Sequence, residues 1–308
     1  MSKYARNKAI LVKLETTYGT DAVPTGAANA MQVNNFRAEP LLGQDVSRDL
    51  MFPYMGHQGA ILSGNYGRVS FDVEIAGAGA AGTVPAYGPL LRACGLAETV
   101  QAGVSVVYNP VSSGQEACSI YYVMDGIRHI LTGARGTFTL NVAPAQIPRF
   151  SFTFTGLLGP ISDQPMPVCD LTKFIKPVPV SKLNTSFSLH GYTGAVESFS
   201  FDLANDIQPR LLINDESIKQ VDRMMTGSAT IEAAALATIN WFALAQAHTT
   251  GALAGQHGVT PGNIVGFGAG RVQIGRPSYQ ENQKIVTNQL ALMLLPTAGN
   301  DEFTITVK

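Results

Sequence analysis

RVSFDVEIAGAGAAG, residues 68–82, decides the fold, because its two ends point to different architectures. The glycines stand as Gly77-x-Gly79-x-x-Gly82, the spacing of a dinucleotide-binding turn. The residues before them alternate: Val69, Phe71, Val73 and Ile75 on one side of an extended chain, Ser70, Asp72 and Glu74 on the other. A strand of a nucleotide-binding parallel sheet is apolar on both faces, whereas an alternating strand belongs to an antiparallel sheet with one wetted face. After Gly82 comes Thr83-Val84-Pro85, so the next helix starts too late for its amides to cap a phosphate at Gly79. Glu98, at the distance of a ribose-binding acid, ends that helix instead of a second parallel strand. GAGAAG therefore reads as a flexible connection, and GFGAGR, 266–271, as a bend or bulge within a strand.

The same alternation recurs in RFSFTFTG (149–156), SFSFDL (198–203) and EFTITVK (302–308). Helical signal is confined to AYGPLLRACGLAE, near 86–94, and ATINWFALAQAHT, near 237–248, each following an amphipathic strand. That order is a repeat. GRVSFDVEIAG from Gly67 matches GSATIEAAALA from Gly227, so Ser70 meets Thr230, Phe71 meets Ile231 and Asp72 meets Glu232. Asp45-Val46 answers Asp206-Ile207, and TFTLNVAPAQIPRFSFTFTG parallels QLALMLLPTAGNDEFTITVK. Between the halves, prolines 160, 165, 167, 177 and 179 stiffen a connector and block regular structure. The expected organisation is an N-terminal arm over 1–29, a first β domain over 30–160, a Pro-rich linker over 161–179 and a second β domain over 180–308.

Composition narrows the function classes. The chain has 308 residues, 45% of them hydrophobic, enough for a sizeable core, and only 14% charged against a usual value of about 25%. A net charge of −1 argues against a basic surface that grips nucleic-acid phosphates. Cys94, Cys118 and Cys169 form no CxxC pair and suit a reducing compartment. The N-terminal MSKYARNKAI lacks a signal-peptide core, and QLALMLLP is far shorter than the ~20 residues of a membrane span. His57, His129, His190, His248 and His257 fall in separate segments without metal-ligand spacing. Ser112-Ser113-Gly114 lacks the strand–elbow–helix setting of a hydrolase nucleophile, and Trp241, spaced helically with Leu236, Leu244 and Ala245, reads as core. The residues predict no catalytic, cofactor or metal site, and no enzyme.

A family resemblance enters at VKLETTYGTDAVPTGAANAMQVNNF and AEPLLGQDVSRDLMFPYMG. Glu15-Thr16-Thr17-Tyr18-Gly19-Thr20-Asp21, the Glu39-Pro40 turn, Ser47-Arg48-Asp49-Leu50 and Pro53-Tyr54-Met55-Gly56, in that order, resemble the start of tail tube (major tail) proteins of long-tailed, non-contractile bacteriophages. PAYGPLLRACGLAETV is similar to the family's short helix; the resemblance spans most of 10–156 and fades in the second half. It implies a mainly β protein: two tandem β-sandwich or barrel domains, each with a short flanking α-helix. It also implies a virion protein made and assembled in the host cytoplasm, whose rings stack into the conduit for genome ejection. Members with two fused domains close a ring from three chains with pseudo-sixfold symmetry, and the repeat places this chain with them. The implied partners are further copies of the chain as a homotrimer, the tail terminator, tape measure and distal tail proteins, and double-stranded DNA in non-specific transit.

Two surfaces are assigned on that reading. Ser70, Asp72 and Glu74, with Thr230 and Glu232, are expected on the lumen face, since they lie opposite an apolar one. RDLMFPYMGHQGAILSGNYG, 48–67, has neither period and carries Met51, Phe52, Tyr54, Met55, Ile61 and Leu62, so 50–62 is expected to be a ring-stacking loop. Other readings of a β protein without catalytic groups are a capsid decoration protein, a secretion-tube component, or a carbohydrate-binding module. The last usually presents clustered exposed aromatics, and here only Trp241 and scattered tyrosines are available.

Overall fold

The computed structural model describes residues 2–308 and is mainly β, with 52% of residues in strands and 5% in helices. The first half begins with β1 (Lys8–Leu14), α1 (Gly26–Asn29), β2 (Ala30–Met31), β3 (Asn34–Ser47), β4 (Ala60–Glu74) and α2 (Gly88–Ala93). It continues with β5 (Leu96–Gln101), β6 (Ser105–Pro110), β7 (Cys118–Met124), β8 (Ile127–Val142), β9 (Arg149–Leu158) and β10 (Ser162–Asp163). The second half begins with β11 (Thr185–Leu189), β12 (Val196–Asp202), β13 (Asn205–Leu212), β14 (Asp215–Arg223), β15 (Thr226–Glu232) and α3 (Trp241–Gln246). It ends with β16 (Thr250–His257), β17 (Val265–Ile274), β18 (Ser278–Asn282), β19 (Ile285–Leu294) and β20 (Thr304–Val307).

The ladders repeat between the halves. One half runs β1-β7-β8-β9-β4-β3 and the other β11-β16-β17-β19-β15-β12, all antiparallel. Strand β18 pairs with the start of β19 as the end of β8 pairs with the start of β9, so β17 and β18 together replace the long β8. Short β10 and β20 pair with the beginnings of β8 and β17. One register shift recurs, between Asn34 and Arg37 in the first half and between Val196 and Ser198 in the second; two further shifts in β3, between Glu39 and Leu42 and between Leu42 and Gln44, have no counterpart in β12.

Gly67 and Gly227 take equivalent places in this scheme, since Ser70 pairs with Thr153 of β9 and Thr230 with Gln289 of β19. The C-terminal match read from the sequence is displaced. RFSFTFTG is β9, whose topological counterpart is β19, while EFTITVK contains β20. Phe/Thr alternation is shared by any half-buried strand, so it cannot tell one strand from another.

The halves are sewn together. Strand β12 pairs with β8, Phe199 opposite Val142 through Asp202 opposite Thr139, and β20 pairs with β6 from Ile305–Tyr108 to Val307–Val106. One cluster of buried side chains spans both, from Phe71, Phe138, Phe150, Phe152 and Phe154 to Phe199, Phe201, Phe267 and Phe303. Helix α2 opens with Pro89 in its first turn and buries Leu90 and Leu91. Helix α3 is capped by Asn240, whose side chain accepts from the Ala243 amide at 3.0 Å, and it buries Trp241. The proline-rich segment is pinned: Asp170 N donates to Gly26 O at 3.0 Å and Val180 N to Gln146 O at 2.8 Å.

GAGAAG meets the second half instead of a phosphate. The Gly77 amide donates to Asn263 Oδ1 at 2.7 Å and the Gly79 amide to Gly262 O at 2.9 Å. Glycine is needed there for close approach of two backbones.

Candidate assembly surfaces

Seven ladders chain eight strands into one ribbon across both halves: β3-β4-β9-β8-β12-β15-β19-β18. Its residues alternate in rows. One row reads Val73, Phe150, Leu140, Phe201, Gly227, Leu292 and faces the core. The next reads Glu74, Arg149, Asn141, Ser200, Ser228, Ala291, and another on the same face reads Asp72, Ser151, Thr139, Asp202, Thr226. The structure thus brings Ser70, Asp72, Glu74, Thr230 and Glu232 onto one continuous polar face, all half-buried.

The charges of this face are largely answered locally. Arg149 lies 3.7 Å from Glu74, Arg68 lies 3.7 Å from Glu39, and Asn35 donates to Asp72 Oδ2 at 2.7 Å. Asp202 accepts from the Ala204 amide at 2.8 Å, and Ser200 and Ser228 share a hydrogen bond of 2.8 Å. Such a surface is hydrated but offers few unpaired cations to a phosphate backbone.

The second surface is the tip of the β3–β4 hairpin. The loop is held at its neck, where Leu50 N donates to Gln58 Oε1 at 2.7 Å and Gln58 Nε2 donates back to Leu50 O at 2.5 Å. Beyond the neck, Phe52 and Tyr54 stack on each other at 5.3 Å and leave 46% and 70% of their surfaces open. Met51 and Met55 are fully exposed, at 96% and 101%, and Ile61 and Leu62 are exposed on the adjoining strand. These aromatics lie outside the domain core, around a hollow of about 270 Å³ lined by Arg48, Leu50, Phe52, Tyr54, His57 and Gln58.

A third feature was missed by sequence reasoning, although its residues lie in the stretch that carries the family resemblance. Glu15 accepts from Gly19 N and Gly133 N, both at 2.7 Å, and from Ser119 Oγ at 2.8 Å, fixing the turn after β1. Asp21 accepts from the Tyr121 hydroxyl, whose pKa burial and this carboxylate together raise to about 12. Tyr18 then grips the β13–β14 hairpin: its hydroxyl accepts from Ile218 N at 2.5 Å and donates to Ile218 O at 3.2 Å. Arg135 stacks over Tyr18, 4.8 Å from the ring centroid, and donates to the same Ile218 carbonyl at 2.9 Å. Burial raises the Tyr18 pKa, so it stays a neutral hydroxyl able to donate and accept. The signal was a polar cluster whose partner lay 200 residues away.

Two of the histidines and two of the thiols serve packing. His257 shares hydrogen bonds with Thr185 Oγ1 at 2.9 Å and Val178 O at 3.1 Å, and burial holds its pKa below the ordinary value. His190 bonds Val272 O at 2.8 Å. Burial pushes the Cys94 and Cys118 thiols well up, away from the reactive thiolate. Among the described residues, no group of three or more His, Cys, Asp and Glu is placed to hold a metal ion.

The fold defines the class: a mainly β protein built on a duplicated antiparallel ribbon, polar on one face and bearing an exposed apolar hairpin tip. The sequence profile of the family "Phage tail tube protein" matches residues 5–289, nearly the whole chain. The chain belongs to the phage tail tube protein family: a virion component that self-assembles into the tail tube. No curated protein matches it, and no described helix is long and apolar enough to cross a membrane.

Proposed function

We propose that three copies of this chain close a ring with pseudo-sixfold symmetry, and that rings stack into the tube through which the genome of a long-tailed, non-contractile phage leaves the particle. On this reading residues 30–160 and 180–308 are two tube domains joined by the 161–179 linker, with β1 of the N-terminal arm and β10 of the linker added to the first sheet, and the polar face of the eight-strand ribbon lines the lumen. The repeated strand order carries the proposal, because two equivalent units related by one rotation are what a pseudo-sixfold ring of three chains requires. The hairpin tip at 50–62 projects along the tube axis and stacks against the adjacent ring. The tail terminator, tape measure and distal tail proteins meet the tube at its ends or within it, and double-stranded DNA passes without sequence-specific contact. Averaged end-on views of purified tubes test this: three full-length chains per ring are expected, and six would overturn it.

A further inference from the structure

Resting on that trimeric reading, we propose how one copy joins the next: the exposed edge of β18 pairs antiparallel with β3 of a second copy, Asn282 opposite Glu39 and, across the bulge at Pro40 and Leu41, Gln280 opposite Leu42. The template lies within the chain. The first half ends its ribbon on the terminal part of β8, and the second half begins on β12; these pair with Asn141 opposite Ser200 and Thr139 opposite Asp202. Their counterparts are unpaired. Among the described residues β18 pairs only with β19, β3 pairs only with β4, and all of β18 is exposed.

The register follows from the equivalent ladders. Ser70 pairs with Arg37 and Thr153 in the first half, as Thr230 pairs with Ser198 and Gln289 in the second, so Arg37 corresponds to Ser198 and Thr153 to Gln289. Two residues on, Glu39 lies opposite Arg68 as Ser200 lies opposite Ser228, so these two correspond; beyond the bulge Leu42 lies opposite Tyr66 as Asp202 lies opposite Thr226, so Leu42 corresponds to Asp202. Thr137 pairs with Thr153 as Ser278 pairs with Gln289, so Asn141 corresponds to Asn282 and Thr139 to Gln280. Repeating the internal junction between copies then continues each eight-strand ribbon into the next, with the polar face kept on one side because the register parity is unchanged. Closure leaves no free edge in the lumen sheet.

The two seams differ in strength. The internal one is packed by Leu140, Val142, Phe199 and Phe201, all buried, and is reinforced by the β6–β20 ladder. The outer one offers Gln280, Glu281 and Asn282 to the bulged stretch from Glu39 to Leu42, which includes Pro40, and the second half has no counterpart of the β5–β6 hairpin. Charges and a proline on a free edge discourage pairing of stray copies.

The test is cross-linking in assembled tubes, with Cys169→Ser removing the partly exposed thiol. Opposed residues on antiparallel strands lie at Cα separations of about 4.5–5.5 Å, within disulfide reach. Glu39→Cys with Asn282→Cys should give covalently closed trimers on a non-reducing gel. Glu39→Cys with Glu281→Cys, shifted by one residue onto opposite faces, should leave single chains. Threefold tubes in which the first pair does not link, or the shifted pair links as well, would overturn the pairing and leave the trimeric reading standing; six chains per ring would overturn both. Should the cysteines prevent assembly, an averaged map of unmodified tubes decides: β18 about 4.8 Å from a neighbour's β3 supports the seam, and two separate solvent-facing edges overturn it.

Discussion

At Gly77 a methyl group would meet the Gly262 carbonyl and come within 2.6 Å of Asn263 Cα, both rigid backbone. Gly77→Ala should therefore cost about 1–3 kcal/mol, the range for overpacking a fitted site, read as a lowered denaturant midpoint with an unchanged slope. An unchanged midpoint would mean that the two loops part freely. His257 makes a pH-dependent contribution of definite sign. Its folded pKa is depressed by burial, so the unfolded chain binds the proton more readily. The stability it contributes is present above the unfolded pKa of about 6.5 and is lost as pH falls through that value toward the folded pKa. His257→Gln should flatten the fall in unfolding free energy between pH 7 and pH 5, and an unaltered slope would place the acid sensitivity elsewhere. His129, also depressed by burial, adds a slope of the same sign.

At the scale of elements, alternation made the strands legible. Val69 to Ile75 and Phe150 to Phe154 lie on the buried face that their spacing predicts, and α2 and α3 fall within the segments expected, whereas the single turn of α1 was not foreseen. The pairing partners were less legible, since β9 and β20 present the same Phe/Thr pattern and only the ladders separate them. The Tyr18–Arg135–Ile218 clasp was invisible because no local period encodes a contact between distant segments. Two predictions belong here. Asp72→Lys with Glu232→Lys should leave rings intact but slow or block DNA ejection, most at low salt, by adding cations to the polar face proposed to line the lumen; normal ejection from normally assembled particles would remove that face from the lumen. Phe52→Ser with Tyr54→Ser should leave soluble trimers that fail to polymerise. The loss, about 3–5 kcal/mol per chain at about 25 cal/mol per Å², is set against the ordering of a loop already braced by Gln58. Full-length tubes from that variant would sink the stacking assignment.

For the whole molecule, duplication does not mean independence. The β8–β12 and β6–β20 ladders, the shared phenylalanine cluster and the Gly77–Gly262 approach all cross from one half to the other. Arg223, at the end of β14, adds a largely buried ion pair with Glu302 at 2.5 Å and a bond to Val111 O at 3.0 Å in the first half. Exposing either half would strip apolar surface from Phe199, Phe201 and Leu140 and leave buried polar groups unpaired, so neither half gains by unfolding alone. The full chain should therefore unfold in a single transition, with tryptophan fluorescence, which reports Trp241 in the second half, coinciding with far-ultraviolet circular dichroism, which reports both. A protease site placed at the exposed Val168 should cut the linker while the two fragments co-elute and keep that common midpoint, since the connector is not what holds them together. Fragments that separate after cleavage, or two transitions in the intact chain, would show that the halves are joined mainly by the linker and that the seam between β8 and β12 is too weak to serve as the template for the seam between copies.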